Sequence, residues 1–227
     1  PDRIMNFKRL MPESSALRAG SALVLVALLA ACSGSSKPKP DELPANPALM
    51  GVRQAWTVRI PEVKFPLTTD VSGDTVTVAG SDGTVVAIDA RAGREVWRAS
   101  AGAPLAAGVG SDGSVAAVVS SGNELVAIEN GKVIWKQKLS AQAFTAPLVA
   151  GRRVFVQTAD RSISAWDGQS GRRLWIQQRA GENLVLRKSG VLLAVGDTLV
   201  AGIGGRLVGI NPANGTSRWE SPIAAPR

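Results

Sequence analysis

The chain has 227 residues, with 26 Lys and Arg against 18 Asp and Glu, one cysteine and no histidine. Without histidine, Ser-His-Asp and Cys-His nucleophile systems, histidine-ligated zinc or haem, and the usual neutral-pH proton shuttle are excluded. One thiol cannot form an internal disulfide. The net charge of +8 is scattered, with pairs at Arg152/Arg153 and Arg172/Arg173 but no long run. A nucleic-acid footprint needs clustered base and aromatic stacking partners, so attraction to anionic membrane or protein surfaces is the better use of this charge.

Lys8, Arg9 and Arg18 precede an uninterrupted apolar run from Ala22 to Ala31. Ten residues at 1.5 Å rise cover about half of a bilayer core, too short to span it. A basic flank, a short apolar stretch and small residues at its end form a secretory leader, predicted over residues 1–31, with residues 1–4 ahead of Met5 read as upstream sequence. Leu29-Ala30-Ala31-Cys32 resembles the lipobox of bacterial lipoproteins, which implies that the Cys32 thiol carries the lipid. Ser33 in place of Asp implies sorting to the outer membrane, and two or three acyl chains anchor stably where one is marginal. Residues 32–53, rich in Ser, Pro and charge, cannot bury a core and are predicted to be an extended tether.

Residues 54–227 are self-similar. AIDARAGREVW (87–97), AIENGKVIW (127–135), AWDGQSGRRLW (165–175) and GINPANGTSRW (209–219) end in Trp97, Trp135, Trp175 and Trp219, and Trp56 opens the series. The intervals are 41, 38, 40 and 44 residues. Short β-like runs split by Gly, Asp, Ser or Asn precede each motif, and Pro66-Leu67, Pro104-Leu105 and Pro147-Leu148 open three of the repeats. The spacing predicts an all-β chain of about four four-stranded blades, with a lone strand at Gln54–Ile60. The A-x-D-x-x-x-G-x-x-x-W pattern resembles the tryptophan-docking motif of quinoprotein-type (PQQ-like) propeller repeats. In that reading Asp89 and Asp167 accept turn N–H groups, Gly93 and Gly171 supply positive φ, and each indole packs on the neighbouring blade. The second motif departs, with Glu129 for Asp and two residues missing; the fourth has Asn211 for Asp and Gly209 for the alanine. Closed rings of this repeat class usually have eight blades, more than roughly 300 residues. The resemblance therefore implies half a ring, with exposed sheet edges that make an isolated chain poorly stable.

The quinoprotein resemblance raises an enzymatic reading, since those enzymes hold pyrroloquinoline quinone and Ca²⁺ with a vicinal disulfide and a carboxylate set. This chain has no Cys-Cys pair, and most of its acids stand in turn positions, so no cofactor, metal or catalytic residue is predicted. Leader, tether and repeat together resemble the outer-membrane assembly factor BamB family. The resemblance implies a non-enzymatic, lipid-anchored scaffold on the periplasmic face of the outer membrane. It would bind periplasmic domains of BamA, and nascent barrel proteins would be further partners. Leu184, Leu186 and Arg187 lie in the longest interval and are similar to the Leu-x-Leu-Arg stretch with which the family docks BamA. Apolar anchors beside a forked arginine suit a hot spot, although Leu184–Leu186 could instead pack under the ring. The other reading is a propeller lipoprotein that binds a small molecule or polysaccharide, or a quinoprotein-like dehydrogenase.

Overall fold

The computed structural model describes residues 51, 53–179 and 190–223; Cys32, Leu184, Leu186 and Arg187 fall outside the described residues. Among the described residues, sixteen strands follow one another in four antiparallel sheets, each of four strands in chain order. Blade 1 holds β1 (Asp70–Ser72), β2 (Thr75–Ala79), β3 (Thr84–Asp89) and β4 (Glu95–Ser100). Blade 2 holds β5 (Gly110–Ser111), β6 (Val115–Val119), β7 (Glu124–Glu129) and β8 (Lys132–Lys138). Blade 3 holds β9 (Leu148–Ala150), β10 (Arg153–Gln157), β11 (Ser162–Asp167) and β12 (Arg173–Gln178). Blade 4 holds β13 (Val191–Val195), β14 (Thr198–Ile203), β15 (Arg206–Ile210) and β16 (Ser217–Pro222).

The middle strands are apolar without alternation because both faces are covered. All five residues of β6 are buried, as are Leu125 to Ile128 of β7. The outermost strands keep alternation and carry the charge, as in KVIWKQK of β8. Each junction of consecutive blades is a separate core. Ala79 and Val85 meet Ala116, Val118 and Val126 between blades 1 and 2. Ala117, Val119 and Leu125 meet Val149, Val154 and Val156 between blades 2 and 3. Phe155, Ile163 and Ala165 meet Leu192, Leu199 and Ala201 between blades 3 and 4. Each fully buried Val or Leu contributes about 1.5–3 kcal/mol relative to exposure.

Residues 54–60 pair with no strand of the described chain, because no partner edge lies beside them. They keep the strand alternation all the same: Trp56, Val58 and Ile60 turn inward onto Val78, Val86 and Ile88 of blade 1. The segment thus covers blade 1 as one blade covers the next. Trp219 differs from its counterparts in being 43% exposed, on a blade 4 face that also shows Val191, Leu193 and Val195. No docking turn lies over its indole among the described residues, which end their repeats at blade 4.

Candidate functional site

The tryptophan motif builds the joint between blades. The Asp89 carboxylate accepts from the N–H groups of Arg91 and Ala92, both at 2.9 Å, and the Asp89 carbonyl accepts from Gly93 N at 2.8 Å. Asp167 repeats this with Ser170 N at 2.8 Å and Gln169 N at 3.2 Å, and Asn211 does so through Ala213 N at 2.9 Å. The turn so fixed aims one carbonyl at the indole of the preceding repeat. Trp56 Nε1 donates to Ala90 O at 2.8 Å, Trp135 Nε1 to Gly168 O at 2.8 Å and Trp175 Nε1 to Pro212 O at 3.0 Å. In blade 2 the two missing residues leave a tight Asn130-Gly131 hairpin with φ of 49° and 76°. That shorter turn offers Trp97 no matching carbonyl bond among the described residues; Gly131 still approaches the Trp97 side chain.

Each outer strand has one extra residue immediately before its tryptophan: Val96, Ile134, Leu174 and Arg218. The bulge turns the indole toward the next blade and interrupts the exposed edge against strand addition. Opposite the tryptophans stand Ala87, Ala127, Ala165 and Gly209. At Gly209 a Cβ would overlap the Trp219 ring, which accounts for glycine in place of alanine there. The bulge and the need for a small residue opposite the indole were missed in the sequence. The alanine ten positions before Trp97 and Trp175 was the available signal.

The connections from outer strand to next inner strand lie at the other end of the blades. Those spanning 101–109 and 139–147 are anchored by buried Leu105, Ala107 and Val109, and by Leu139 and Ala143. The connection 179–190 is three residues longer and contains the predicted contact residues, outside the described range. Its ends are described. The Arg179 guanidinium donates to Glu220 at 2.5 Å and to Ser217 Oγ at 2.7 Å on β16, and Gly190 N donates to Thr145 Oγ1 at 2.7 Å. Arg179–Glu220 is the one ion pair joining two blades among the described residues. It pins the outer end of this connection to blade 4.

The concave wall formed by the inner strands encloses about 340 Å³ and is lined mainly by small and apolar residues, with Thr68, Asp70 and Thr145 as its polar members. Burial raises the Asp70 pKa, with Asp112 adding to the rise and the Ser111 N–H opposing it. The turn acids go the other way, their carboxyls held below the ordinary range chiefly by N–H groups, from Ala92 at Asp89 and Ser170 at Asp167. No cluster of three metal-ligating side chains occurs among the described residues.

Blades of this repeat, joined by docked indoles, define a β-propeller scaffold of the quinoprotein type. The family model described as outer membrane protein assembly factor BamB matches residues 81–227. A Bordetella pertussis protein described by the same words is 35% identical over 215 residues, covering 91% of this chain and 56% of the relative. A Burkholderia pseudomallei relative of the same description is 36% identical over 213 residues, covering 91% and 55%. The chain belongs to the BamB family, and spans about half the length of the curated relatives it matches. Among solved structures, BamB from Moraxella catarrhalis matches with a TM-score of 0.58 at 22% identity, over 71% of this chain and 49% of that one. A quinohemoprotein alcohol dehydrogenase from Pseudomonas putida matches with a TM-score of 0.56 at 16% identity, over 72% and 35%. Similarity at that level concerns the fold and carries no catalytic residue across.

Proposed function

We propose that the chain is a non-enzymatic, lipid-anchored scaffold of outer-membrane protein assembly, held by Cys32 on the periplasmic face of the outer membrane and binding BamA. The observation that carries this reading is the match to BamB proteins over 91% of the chain. Docked blades form a stiff support, and the interval 179–190, whose first residue Arg179 is paired with Glu220, is the longest between blades and so departs from the repeat. In this reading Leu184 and Leu186 supply apolar anchors and Arg187 a forked donor for a BamA periplasmic domain. Nascent barrel proteins are further partners in the same reading.

The test is retention of the full chain by immobilised BamA periplasmic domains. Leu184→Ala combined with Arg187→Ala is expected to weaken binding about thirtyfold, the size of a hot-spot loss. Undiminished retention of a folded double variant would show that the contact lies elsewhere, and failure of the parent chain to bind would remove BamA as partner.

A further inference from the structure

The charge pattern at the docking-turn end of the blades changes at blade 3. In blades 1 and 4 the turn between the first two strands reads Gly73-Asp74 and Gly196-Asp197. Each aspartate pairs with an arginine of its own blade, Asp74 with Arg91 and Asp197 with Arg218, both at 2.9 Å. In blade 3 the same turn is Gly151-Arg152, followed by Arg153, so a base stands where the pairing acid stands elsewhere. Arg152 holds φ at 62°, a left-handed conformation in which glycine or asparagine would be less strained.

The sheet brings two more arginines to that end. Gly168 N donates to Arg152 O at 3.0 Å and Asp167 N to Arg172 O at 2.9 Å, while Arg153 stands opposite Asp167 and Arg173 opposite Trp166. Four arginine backbones therefore share three adjacent strand ends, roughly 10 Å across, with Arg153 half-buried on the face toward blade 4 and Arg152, Arg172 and Arg173 exposed. The Arg173 guanidinium lies 5.7 Å from the Trp166 ring centroid, which restrains it. None of the four is ion-paired among the described residues. Two acids at this end have other partners: Asp167 accepts from its own turn, with Arg172 adding to the lowering of its carboxyl, and Glu129 accepts from Gln169 Nε2 at 3.0 Å.

The chain also enters the repeats at this end. Trp56 sits on the docking turn of blade 1, and by Glu62 the chain has reached the opposite end, where Glu62 O accepts from Ser81 N at 2.8 Å. Residue 53, three positions before Trp56, thus lies on the docking-turn side of blade 1.

We infer that Arg152, Arg172 and Arg173, the three exposed members of this group, form a contact site for the phosphates of anionic phospholipids. The inference rests on the reading of Cys32 as a lipid anchor only for bringing a membrane near. A lipid surface fits better than a protein partner, because Arg152 and Arg172 sit in turns and Arg173 opens β12, all exposed and without an exposed large apolar residue among them, and protein hot spots combine charge with a buried aromatic or aliphatic contact. Guanidinium forks match phosphate oxygens, and each basic residue near an anionic leaflet is worth about a fivefold gain in partitioning.

The test uses the full chain with Cys32→Ser, which removes acylation, and co-sedimentation with phosphatidylethanolamine vesicles with and without phosphatidylglycerol. The leader is the same in every variant, so differences between variants report on the blades. The parent is expected to prefer phosphatidylglycerol vesicles, with binding that falls as salt rises. Arg152→Gln with Arg172→Gln should lower that binding at least tenfold, and the corresponding double lysine variant should keep most of it. Lys136→Gln with Lys138→Gln, at the opposite end, should change it less than twofold. Equal losses in the two glutamine pairs would reduce the effect to net charge and overturn the site, as would no preference for phosphatidylglycerol. If Arg152→Gln fails to fold, Arg152→Gly, favoured at that φ, replaces it. Because the anchor is absent from the assay, either result leaves the BamA pull-down to stand or fall separately.

Discussion

At the scale of single residues, the docking glycines meet two demands of unequal weight. Gly93, Gly171 and Gly215 have φ between 67° and 79°, but Asn123, Asn130, Arg152 and Arg161 adopt similar values without being glycine. Positive φ alone therefore does not dictate the choice. Contact does: a Cβ on Gly171 would stand 2.7 Å from the Trp135 ring, while one on Gly151 would meet nothing within 4 Å. Gly171→Ala is expected to cost about 2–4 kcal/mol, adding an αL penalty to overpacking, against about 1 kcal/mol for Gly151→Ala. Urea unfolding followed by tryptophan fluorescence measures both, and equal losses would refute the role of the ring. The motif exposes the glycine to a reader of the sequence, but not the indole above it, which comes from 36 positions earlier.

At the scale of elements, the tryptophan is an adapter between a bulged outer strand and the next blade's turn. Trp135 is the fully equipped case, with 9% exposure and a hydrogen bond to Gly168 O at 2.8 Å. Trp97 faces the shortened Asn130-Gly131 hairpin and makes no such bond among the described residues. Trp135→Ala should therefore cost about 3–5 kcal/mol, and Trp97→Ala clearly less. The same urea experiment reads this, and a larger loss at Trp97 would contradict it. Strand number, blade spacing and the docking turns were legible because they are local and repeated. The pairing of residues 54–60 was not, since alternation reveals a strand-like face without naming its partner. The candidate contact residues Leu184, Leu186 and Arg187 stand out only by likeness to a family, because the extra length of their interval has no match in the connections 101–109 and 139–147 that would reveal its role. The arginine group on blade 3 was visible only as two scattered pairs until the register of β10, β11 and β12 joined them.

At the scale of the molecule, the blades present a chain without histidine whose response to pH falls to its carboxylates. Arg218 holds the Asp197 carboxyl, and Arg179 the Glu220 carboxyl, below their ordinary values, as the turn N–H groups do for Asp82, Asp89 and Asp167. In these groups the folded state binds protons more weakly than the unfolded one, so their stabilisation is complete above the ordinary carboxylate range and disappears as pH falls through the lowered values. Asp70 on the inner wall has the opposite sign. Its raised pKa means that its contribution is favourable below 3.8 and lost as pH rises through the folded value. At neutral pH its charge is a burden, partly offset by the Ser111 N–H. Asp70→Asn keeps an acceptor for that N–H and removes the charge. The variant should therefore have a higher urea midpoint than the parent at pH 7, and the difference should shrink as pH falls toward 4. The parent's midpoint should change little between pH 8 and 6, then drop below pH 4 as the turn acids protonate. A variant less stable than the parent at pH 7 would mean that the Asp70 carboxylate is held by an interaction stronger than its desolvation, and would reverse the sign assigned to the inner wall.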